Sequence, residues 1–409
     1  MKATELKTPC YVIDRDRLES NLKVLRGVMD RTGCRILLAQ KAFSCYAVYP
    51  LISQYLCGAT ASGLFEARLC HEEMPGGENH IFSPAFREED MEEIFSICDH
   101  IVFNSIRQLE LYGRRAKDAG LQVGLRINPQ ISTQPAEHAI YDPCAPGSRL
   151  GVTLDEFREA VQRSSSDSGR KGEEGKADIL KLLDGLHFHT LCEQNSDDLE
   201  TTLNGFEEQF REWLPQMKWV NFGGGHHITR SDYDIPRLER CINRMKDGYG
   251  LTVYLEPGEA IALNAGYLHT QVLEVQHHAG AMDIAILDTS AACHMPDVLE
   301  MPYRPPLRDS GTVTFTQDGN GQETLVSSEK PYAYRLGGPT CLSGDIIGEY
   351  SFDEPLKEGQ TLIFEDMGIY SMVKNNTFNG MPMPSIYLKQ GSDYTLLKSF
   401  TYADFKSRL

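Results

Sequence analysis

The 409-residue sequence lacks the features that mark secreted and membrane-embedded proteins. Its eleven cysteines stand singly, with no C-x-x-C pair and an odd count, which argues against a disulfide framework and favours a reducing compartment. No apolar run reaches the ~18–20 residues that a membrane-spanning helix needs. The first residues, MKATELKTPCYVID, lack the apolar core of a signal peptide. We therefore expect a cytoplasmic protein that has no membrane partner.

Basic residues are also scarce. Forty Lys and Arg residues stand against 58 Asp and Glu, so the formal net charge is −18. This balance argues against nucleic acid and anionic membrane surfaces as partners, because both are bound through clustered Lys and Arg. It favours cationic small molecules only weakly, since many soluble enzymes are acidic for solubility alone. The 41% of hydrophobic residues can bury a sizeable core, which excludes wholesale disorder.

What the sequence does contain is a series of short apolar runs that alternate with amphipathic helical patterns. Eight strands alternating with helices over roughly 230 residues predict an α/β fold of the (β/α)8 TIM-like barrel type, although a doubly wound sheet has the same local pattern. The predicted strands begin at Cys34, Gly58, Asn79, His100, Leu121, Asp184, Lys218 and Leu251. One helical pattern begins at Ser196, which we expect to cap its helix.

The pattern changes near Gly266, after which strand-like segments separated by Gly, Pro and Asn turns dominate. The predicted strands of this region lie within 267–278, 282–290, 311–319, 360–368 and 384–390. We therefore predict a strand and a helix in residues 1–30 that associate with either unit, a barrel over 31–265, and a mostly β domain over 266–409. Residues 164–177 are small and charged and have almost no apolar side chain. They are expected to form a flexible surface insertion that takes no part in the chemistry.

Several reactive side chains follow the predicted barrel strands, where barrel enzymes place their active sites. Lys41 follows an apolar strand, so its ammonium would lose hydration and its pKa would fall, which makes it a candidate for a Schiff base. A lysine that reaches solvent is the more common alternative. Arg126 ends a later strand. His187 and His189 share one face of the next strand, either as core residues or as half of a metal site.

Further candidates follow the last two barrel strands and lie in the β region. The glycine run 223–225 lets backbone N–H groups approach a phosphate closely, and the histidine pair 226–227 either lines a site or lies on the loop surface. Glu256 ends the eighth strand and is either a partner for a cationic ring nitrogen or an ordinary acid at the barrel mouth. Cys341 lies in GGPTCLSGD and Tyr370 in EDMGIYS, although a lone cysteine is most often inert and buried.

Two kinds of cofactor fit these residues. A lysine, a stacking histidine, a glycine run for phosphate and a carboxylate for a ring nitrogen together describe a pyridoxal phosphate pocket. Histidines beside carboxylates also describe a metallohydrolase. A metal site would leave the glycine run and the strand-end lysine unexplained. We therefore predict pyridoxal 5′-phosphate as the cofactor, with no metal.

The ordered set of motifs resembles the fold-type III pyridoxal phosphate decarboxylases, which have an alanine racemase-like fold. The motifs are Lys41 after the first barrel strand, then HFH, FGGG, EPG and GPTC, and the resemblance covers nearly the whole chain. This family includes ornithine, diaminopimelate and carboxynorspermidine decarboxylases. The segments YDPCAPGSRLG from Tyr141 and CHMPDVLEMPYRP from Cys293 resemble the carboxynorspermidine (carboxyspermidine) branch in particular.

The resemblance implies a role for each residue that matches a motif. Lys41 would bind the cofactor covalently, and His189 would stack on its pyridine ring. Arg126 would lie near the phenolic oxygen of the ring, and Glu256 would keep the ring nitrogen protonated. The phosphate would be bound by Gly224, Gly225 and Tyr370. In this family the matching cysteine comes from the partner subunit, so Cys341 would complete the site of a head-to-tail homodimer and protonate the carbon that loses its carboxylate.

Departures from the family pattern bear on the substrate. Relatives that act on diaminopimelate often follow EPG with Arg, where this chain has Glu259, and place an acidic residue after the cysteine, where it has Leu342. A carboxylate in place of a cation favours a substrate with distal amines, such as a carboxylated triamine. Asp297 is the next candidate to bind an amine, ahead of Glu300. The Gly-Ser that follows HFH in many relatives is replaced by Thr-Leu-Cys, so the phosphate contacts on that side differ.

These observations predict a decarboxylase of polyamine biosynthesis. Its substrate would be carboxynorspermidine or carboxyspermidine, and its product norspermidine or spermidine. The alternatives are a diaminopimelate or other basic amino-acid decarboxylase, a racemase, a regulatory homologue without turnover, and a barrel metallohydrolase. The carboxylated triamines differ by one methylene, which a pocket discriminates by only ~1–3 kcal/mol, so the sequence favours neither.

Overall fold

The computed structural model describes residues 1–135, 142–167, 178–277, 282–317 and 323–409. The chain forms two compact units, one spanning 19–261 and the other combining 1–18 with 262–409. Strand β1 (Cys10–Asp14) and helix α1 (Arg15–Thr32) open the chain. Tyr141 and most of the predicted insertion, residues 168–177, lie outside the described residues.

The unit that spans 19–261 is built on a closed barrel of eight parallel strands, as the alternating pattern predicted. The strands are β2 (Arg35–Ala39), β3 (Gly58–Ala61), β4 (Glu78–Phe82), β5 (His100–Phe103), β6 (Gln122–Arg126), β7 (Gly185–His187), β8 (Trp219–Asn221) and β9 (Thr252–Leu255). Each strand pairs with the next, and β9 pairs with β2 to close the ring. Strands buried on both faces need continuous apolar runs, which explains their clear signal in the sequence.

Helices follow the barrel strands. They are α2 (Tyr49–Ile52), α3 (Leu64–Glu73), α4 (Glu88–Ile97), α5 (Ile106–Asp118), α6 (Leu154–Asp167), α7 (Ile179–Leu182), α8 (Ser196–Phe210), α9 (Ile235–Tyr249) and α10 (Glu259–Ala262). The predicted cap of α8 was wrong. Asn195 is the capping residue, and its side chain accepts a hydrogen bond from the Ser196 N–H. The same oxygen accepts from the Asp234 N–H, so it also fixes the start of α9.

The second unit contains an eight-stranded sheet in the order β15-β14-β11-β10-β1-β17-β18, with β16 paired to β10. Its strands are β10 (Gly266–Gln276), β11 (Asp283–Leu287), β14 (Tyr332–Gly337), β15 (Ile346–Phe352), β16 (Thr361–Phe364), β17 (Ser385–Gln390) and β18 (Asp393–Lys398). Strands β12 (Val313–Gln317) and β13 (Glu323–Ser328) form a separate pair. The unit also has four short helices, α11 (Ala291–His294), α12 (Asp297–Glu300), α13 (Ser371–Lys374) and α14 (Tyr402–Ser407).

The N-terminal strand β1 lies inside this sheet, antiparallel to β10 and parallel to β17. The predicted combination of a barrel with a mostly β domain is confirmed. Strands β13, β14, β15 and β18 have no counterpart among the predicted strands, because sheets with a solvated face carry polar residues that resemble loops. Across the described ranges, no helix combines the length and the apolar composition needed to cross a membrane.

Two glycines make room for one large side chain in the barrel interior. Gly124, Gly185 and Trp219 are register partners on the consecutive strands β6, β7 and β8. A Cβ atom on Gly185 would lie 2.1 Å from the Trp219 ring, and one on Gly124 would lie 2.3 Å from it. The indole therefore occupies the space that two side chains would otherwise take.

We expect Gly185→Ala to lower the free energy of unfolding by about 1–3 kcal/mol, because the new methyl group overpacks the barrel against a buried ring. Gly248→Ala is the matched control, since a Cβ there meets nothing within 4 Å. The control is expected to be neutral or to stabilise helix α9 by about 0.5–1 kcal/mol. Urea denaturation of both variants measures the difference. Equal stabilities would contradict the packing argument.

Candidate active site

A cavity of about 190 Å³ lies at the carboxyl ends of the barrel strands. The residues that line it include four of those predicted from the sequence, Lys41, Arg126, His189 and Glu256, together with His187. A larger cleft, of about 460 Å³, lies beside the start of α5 and of α6, and none of the predicted site residues lines it. We therefore place the candidate active site in the smaller cavity.

Lys41 stands two residues beyond the end of β2, and its side chain projects into the cavity. Much of its surface is accessible from the cavity, while protein atoms surround it on all sides. This enclosure and the nearby Arg126 guanidinium lower the pKa of Lys41, and the charges of Glu256 and Glu259 oppose the shift. A lysine with a lowered pKa offers the neutral amine that a carbonyl group requires.

The Glu256 carboxylate is buried and receives two hydrogen bonds. The Asn221 side chain donates to one oxygen at 2.8 Å, and His187 Nε2 lies 3.3 Å from the other. Burial alone would raise the pKa of Glu256, but these contacts outweigh it and hold the pKa below the usual range. Burial lowers the pKa of His187, so we assign a neutral imidazole that donates its Nε2–H. The site thus contains an ionised carboxylate.

The glycine run 223–225 follows β8 and passes close to the other site residues. Gly223 and Gly225 have φ angles of +69° and +82°, a region that favours glycine. A Cβ atom on Gly224 would lie 2.6 Å from the Glu256 carbonyl oxygen and 3.1 Å from His189 Cε1. The Gly224 N–H donates to His189 Nδ1 at 3.1 Å, so the run also fixes the histidine ring.

Arg126 is buried at the end of β6, where its guanidinium stacks on the Phe82 ring at 4.7 Å from the centroid. It donates a hydrogen bond to the His189 carbonyl oxygen at 3.2 Å. Burial lowers the pKa of Arg126 to about 10, which leaves it charged at neutral pH. Arg126 therefore places a fixed positive charge in the cavity, opposite in sign to Glu256.

Glu259, the predicted amine ligand, begins α10 in the barrel unit. Its carboxylate lies 2.7 Å from His227 Nε2, and only 11% of its side chain is exposed. The sequence placed the histidine pair 226–227 either at a site or on the loop surface. In the structure both His226 and His227 are buried.

Asp297, Tyr370 and Cys341 belong to the other unit. Asp297 and Glu300 both contact the Lys374 ammonium, Glu300 at 3.0 Å. Tyr370 precedes α13 and has a φ angle of +56°. Cys341 is exposed in the loop between β14 and β15.

The loop that carries Cys341 is held by a buried carboxylate. Asp345 accepts hydrogen bonds from Thr340 Oγ1 at 2.7 Å and from Ser290 Oγ at 2.9 Å. Cys341 and Leu342, between these anchors, are both exposed. The unit therefore presents a thiol and an apolar side chain on a fixed loop.

The sequence did not indicate Asn221 as a site residue and left the role of His187 open. Asn221 could have been identified from its position, because it is the polar residue that ends the apolar run WVN directly before FGGG. A second histidine group, formed by Glu78, His80 and His100, has the spacing of a metal site, but Glu78 already contacts the Arg35 guanidinium. Glu78 and His100 begin their strands, so this group lies at the opposite end of the barrel from the cavity.

Comparison with known proteins shows the family. The family model described as "Pyridoxal-dependent decarboxylase, C-terminal sheet domain" matches residues 10–368. The chain belongs to the pyridoxal-dependent decarboxylases. It is 38% identical over 405 residues to the carboxynorspermidine/carboxyspermidine decarboxylase of Campylobacter jejuni, covering 99% of each chain.

One further relative and one solved structure are similar over all or nearly all of their length. The carboxyaminopropylagmatine decarboxylase of Synechocystis is 37% identical over 413 residues, which cover 100% of this chain and 97% of the relative. The crystal structure of the C. jejuni carboxynorspermidine decarboxylase complexed with norspermidine has a TM-score of 0.83 and 36% identity, covering 99% of this decarboxylase and 100% of that chain. The predicted family and carboxy-lyase activity are confirmed, and the metallohydrolase alternative is rejected.

The residues of the cavity fit pyridoxal phosphate, the cofactor that the family implies. Lys41 supplies an enclosed amine with a lowered pKa, and Glu256 supplies an ionised carboxylate. The glycine run leaves no room for a Cβ atom at Gly224 and passes against His189 and Glu256, which line the cavity. Among the described residues, buried His187 Nδ1 has no hydrogen-bond partner, which leaves a polar atom available at the site.

Lys41→Ala is expected to abolish the visible absorbance of bound cofactor and to lose essentially all turnover, because no other amine of the cavity lining can take its place. Lys181→Ala is the control, since that lysine is 82% exposed in the same unit. Absorbance spectra and borohydride reduction of both variants measure the effect. A reduced adduct at another lysine of the Lys41→Ala protein would reject the assignment.

Proposed function

We propose that this decarboxylase converts carboxynorspermidine or carboxyspermidine to norspermidine or spermidine and carbon dioxide in polyamine biosynthesis. The similarity to the C. jejuni enzyme over the whole chain supports the reaction. The observation that carries the substrate class is Glu259, a largely buried carboxylate whose charge acts on Lys41. A carboxylate at this position attracts a distal amine and repels a distal carboxylate.

Each residue that the sequence assigned to cofactor binding has a role in the proposed reaction. Lys41 Nζ would hold pyridoxal phosphate, and the ionised Glu256 carboxylate would keep the ring nitrogen protonated. His189 would stack on the ring, and Arg126 would lie near the phenolic oxygen. The phosphate would be bound by Gly224, Gly225 and Tyr370. When bound, the cofactor accepts the electron pair that remains as carbon dioxide leaves.

Electrostatics and exclusion of water complete the mechanism. The buried Glu256 carboxylate interacts with a cation more strongly than an exposed one would, because little water competes for it. Lys41 has a lowered pKa, so its free amine would be neutral and able to hold the proton that an incoming substrate amine has to give up. Arg126 and His189 are joined by a hydrogen bond, which keeps both in place during that exchange.

Of the two candidate amine ligands, Glu259 has the stronger case. Its contact is His227, a group that can lose its proton. Asp297 already has an ammonium partner in Lys374, so an amine bound there would have to replace one cation by another. We therefore propose Glu259 as the principal amine ligand and Asp297 as a secondary one.

A second candidate substrate is carboxyaminopropylagmatine, on which the Synechocystis relative acts by name. The near-equal identities of 37% and 38% favour it over diaminopimelate, whose decarboxylases are 22–26% identical to this chain. A guanidinium is a cation like an ammonium, so Glu259 accommodates either.

Carbon dioxide release from each purified substrate tests the proposal. We expect kcat/KM for a carboxylated triamine to exceed that for meso-diaminopimelate by about 30-fold or more, since a carboxylate facing Glu259 costs on the order of 2–5 kcal/mol. Preferential turnover of carboxyaminopropylagmatine would select the second candidate. Faster turnover of diaminopimelate than of all three would reject the amine-recognition argument.

We propose that the enzyme is a homodimer in which Cys341 of one subunit completes the site of the other. The exposure of Cys341 on an anchored loop supports this arrangement, because a thiol that donates a proton has to reach a substrate. Two such sites form in a dimer with two-fold symmetry.

Mixing inactive Lys41→Ala with inactive Cys341→Ala protein is expected to restore activity. With random exchange about half of the dimers are mixed and each has one intact site, so about a quarter of the parental activity is the ceiling. Activity after mixing measures complementation, and a tagged subunit confirms exchange. If the subunits exchange and activity is not restored, either Lys41 and Cys341 act within one chain or Cys341 has no part in the mechanism.

A further inference from the structure

A cluster of three side chains lies beside the candidate active site and has no role in the mechanism above, apart from Glu259. Glu193 follows β7, His227 follows the glycine run, and Glu259 begins α10. One potential ligand atom from each of them lies within 4.8 Å of the others. Three separate loops at the carboxyl end of the barrel therefore direct polar groups to one point.

The loops that carry the cluster are fixed to one another by the backbone. The Gln194 N–H donates to the Gly225 carbonyl oxygen at 3.0 Å, and the His227 N–H donates to the Gln194 carbonyl oxygen at 3.3 Å. Arg230 donates to the Glu193 carbonyl oxygen at 3.3 Å. Glu193 has a φ angle of +56°, a left-handed conformation that costs energy for a residue other than glycine. The backbone positions of Glu193 and His227 are thus fixed relative to each other.

The cluster interacts electrostatically with Lys41, the proposed catalytic lysine. The Glu259 charge acts on Lys41, and the Glu193 and Glu259 charges both act on the Cys192 thiol. Burial, with help from these two carboxylates, raises the pKa of Cys192 to about 12. The two carboxylates therefore generate a negative potential in the same region, next to the amine that engages the substrate.

His227 is the titratable member of the cluster. Its side chain is 8% exposed, its Nε2 lies 2.7 Å from Glu259, and its Nδ1 is buried without a hydrogen-bond partner among the described residues. The charged or titratable groups that act on it are Glu259, Glu193, Arg230, His226 and Asp232. Burial lowers the pKa of His227, but the hydrogen bond and charge of Glu259 outweigh this and raise it.

We propose that Glu193, His227 and Glu259 form the binding site for a cationic nitrogen of the substrate other than the amine at the reacting carbon, and that His227 gives up a proton to solvent when that nitrogen binds. The inference rests on the proposed function and assigns Glu193 and His227 to substrate recognition. In the empty enzyme a protonated His227 neutralises Glu259. The substrate cation replaces that charge, so the balance of charge at the site is kept.

The exchange predicts how affinity depends on pH. At low pH, His227 keeps its proton and repels the incoming cation, so binding is weak. As pH rises through the pKa of His227, the proton is lost and binding strengthens, until the amines of the ligand themselves lose protons. A site made only of carboxylates would show no such step in this pH range.

Calorimetric titration of the holoenzyme with norspermidine, in the presence of a metal chelator, tests the site. Glu259→Gln is expected to weaken binding about tenfold or more, since it removes a largely buried charge. Glu193→Gln is expected to weaken binding about threefold, because the Glu193 side chain is exposed and water screens its charge. Glu212→Gln makes the same change of charge at an exposed position of the same unit and is expected to change affinity less than twofold. Cofactor absorbance and thermal unfolding confirm that each variant is folded and loaded.

His227→Gln tests the proton exchange separately. In the parent enzyme, norspermidine affinity is expected to rise between pH 6 and pH 8, and the heat of binding to depend on the ionisation enthalpy of the buffer as a proton is released. In His227→Gln the rise with pH is expected to be reduced and the proton release to be absent. A variant with the parental pH profile and proton release would reject the role of His227.

The outcomes separate this inference from the function on which it rests. A parent enzyme that decarboxylates a triamine, with Glu193→Gln and Glu259→Gln binding norspermidine as Glu212→Gln does, would overturn the cation site and leave the function intact. A parent enzyme that decarboxylates no triamine would overturn the function, and the same titrations would still decide whether the cluster binds a polyamine. Failure of the parent to bind norspermidine would overturn the cation site, and turnover of the carboxylated triamines would still decide the function.

Discussion

The constraint on which the rest of the site depends is the common rim of a closed parallel barrel. Eight strands that run in one direction and close on themselves bring all their carboxyl ends to one opening. Because β9 pairs with β2, the residues that follow the last and the first barrel strands are neighbours. This is why Lys41 and Glu256, which are far apart in sequence, line one cavity.

At this rim, the contacts that stabilise the charge of Glu256 also limit the space for neighbouring side chains. A buried carboxylate is stable only where polar groups replace its water, and Asn221 and His187 do this for Glu256. The segment that begins at Asn221 then passes so close to Glu256 that Gly224 can carry no side chain. The same stretch of chain therefore stabilises the ionised acid and, through the Gly224 N–H, fixes the His189 ring that lines the cavity.

The acidic composition of the chain and the acidic groups of the site have different consequences. A net charge of −18 spread over a surface is screened by salt and says little about a substrate. Glu259 is largely buried, so its interaction with a neighbouring group is screened much less, and its charge acts on Lys41. Selectivity for a cation follows from where a carboxylate lies and not from how many the chain contains.

The sequence by itself determined the barrel, because strands buried on both faces are continuous apolar runs that local patterns detect. It also determined that Lys41, Arg126 and Glu256 share an opening, since each follows a barrel strand; their catalytic roles stay predictions. Strands β14 and β18 escaped detection because half-exposed strands carry polar residues.

Only the tertiary structure decided which polar groups meet. Asn221 reaches Glu256 across 35 positions, His227 reaches Glu259 across 32, and Lys374 contacts Asp297 across 77. The direction of a side chain on a folded loop sets such contacts, and no local pattern encodes it. For the same reason the sequence alone could not tell that Glu259 has a partner able to release a proton, whereas Asp297 has a permanent cation.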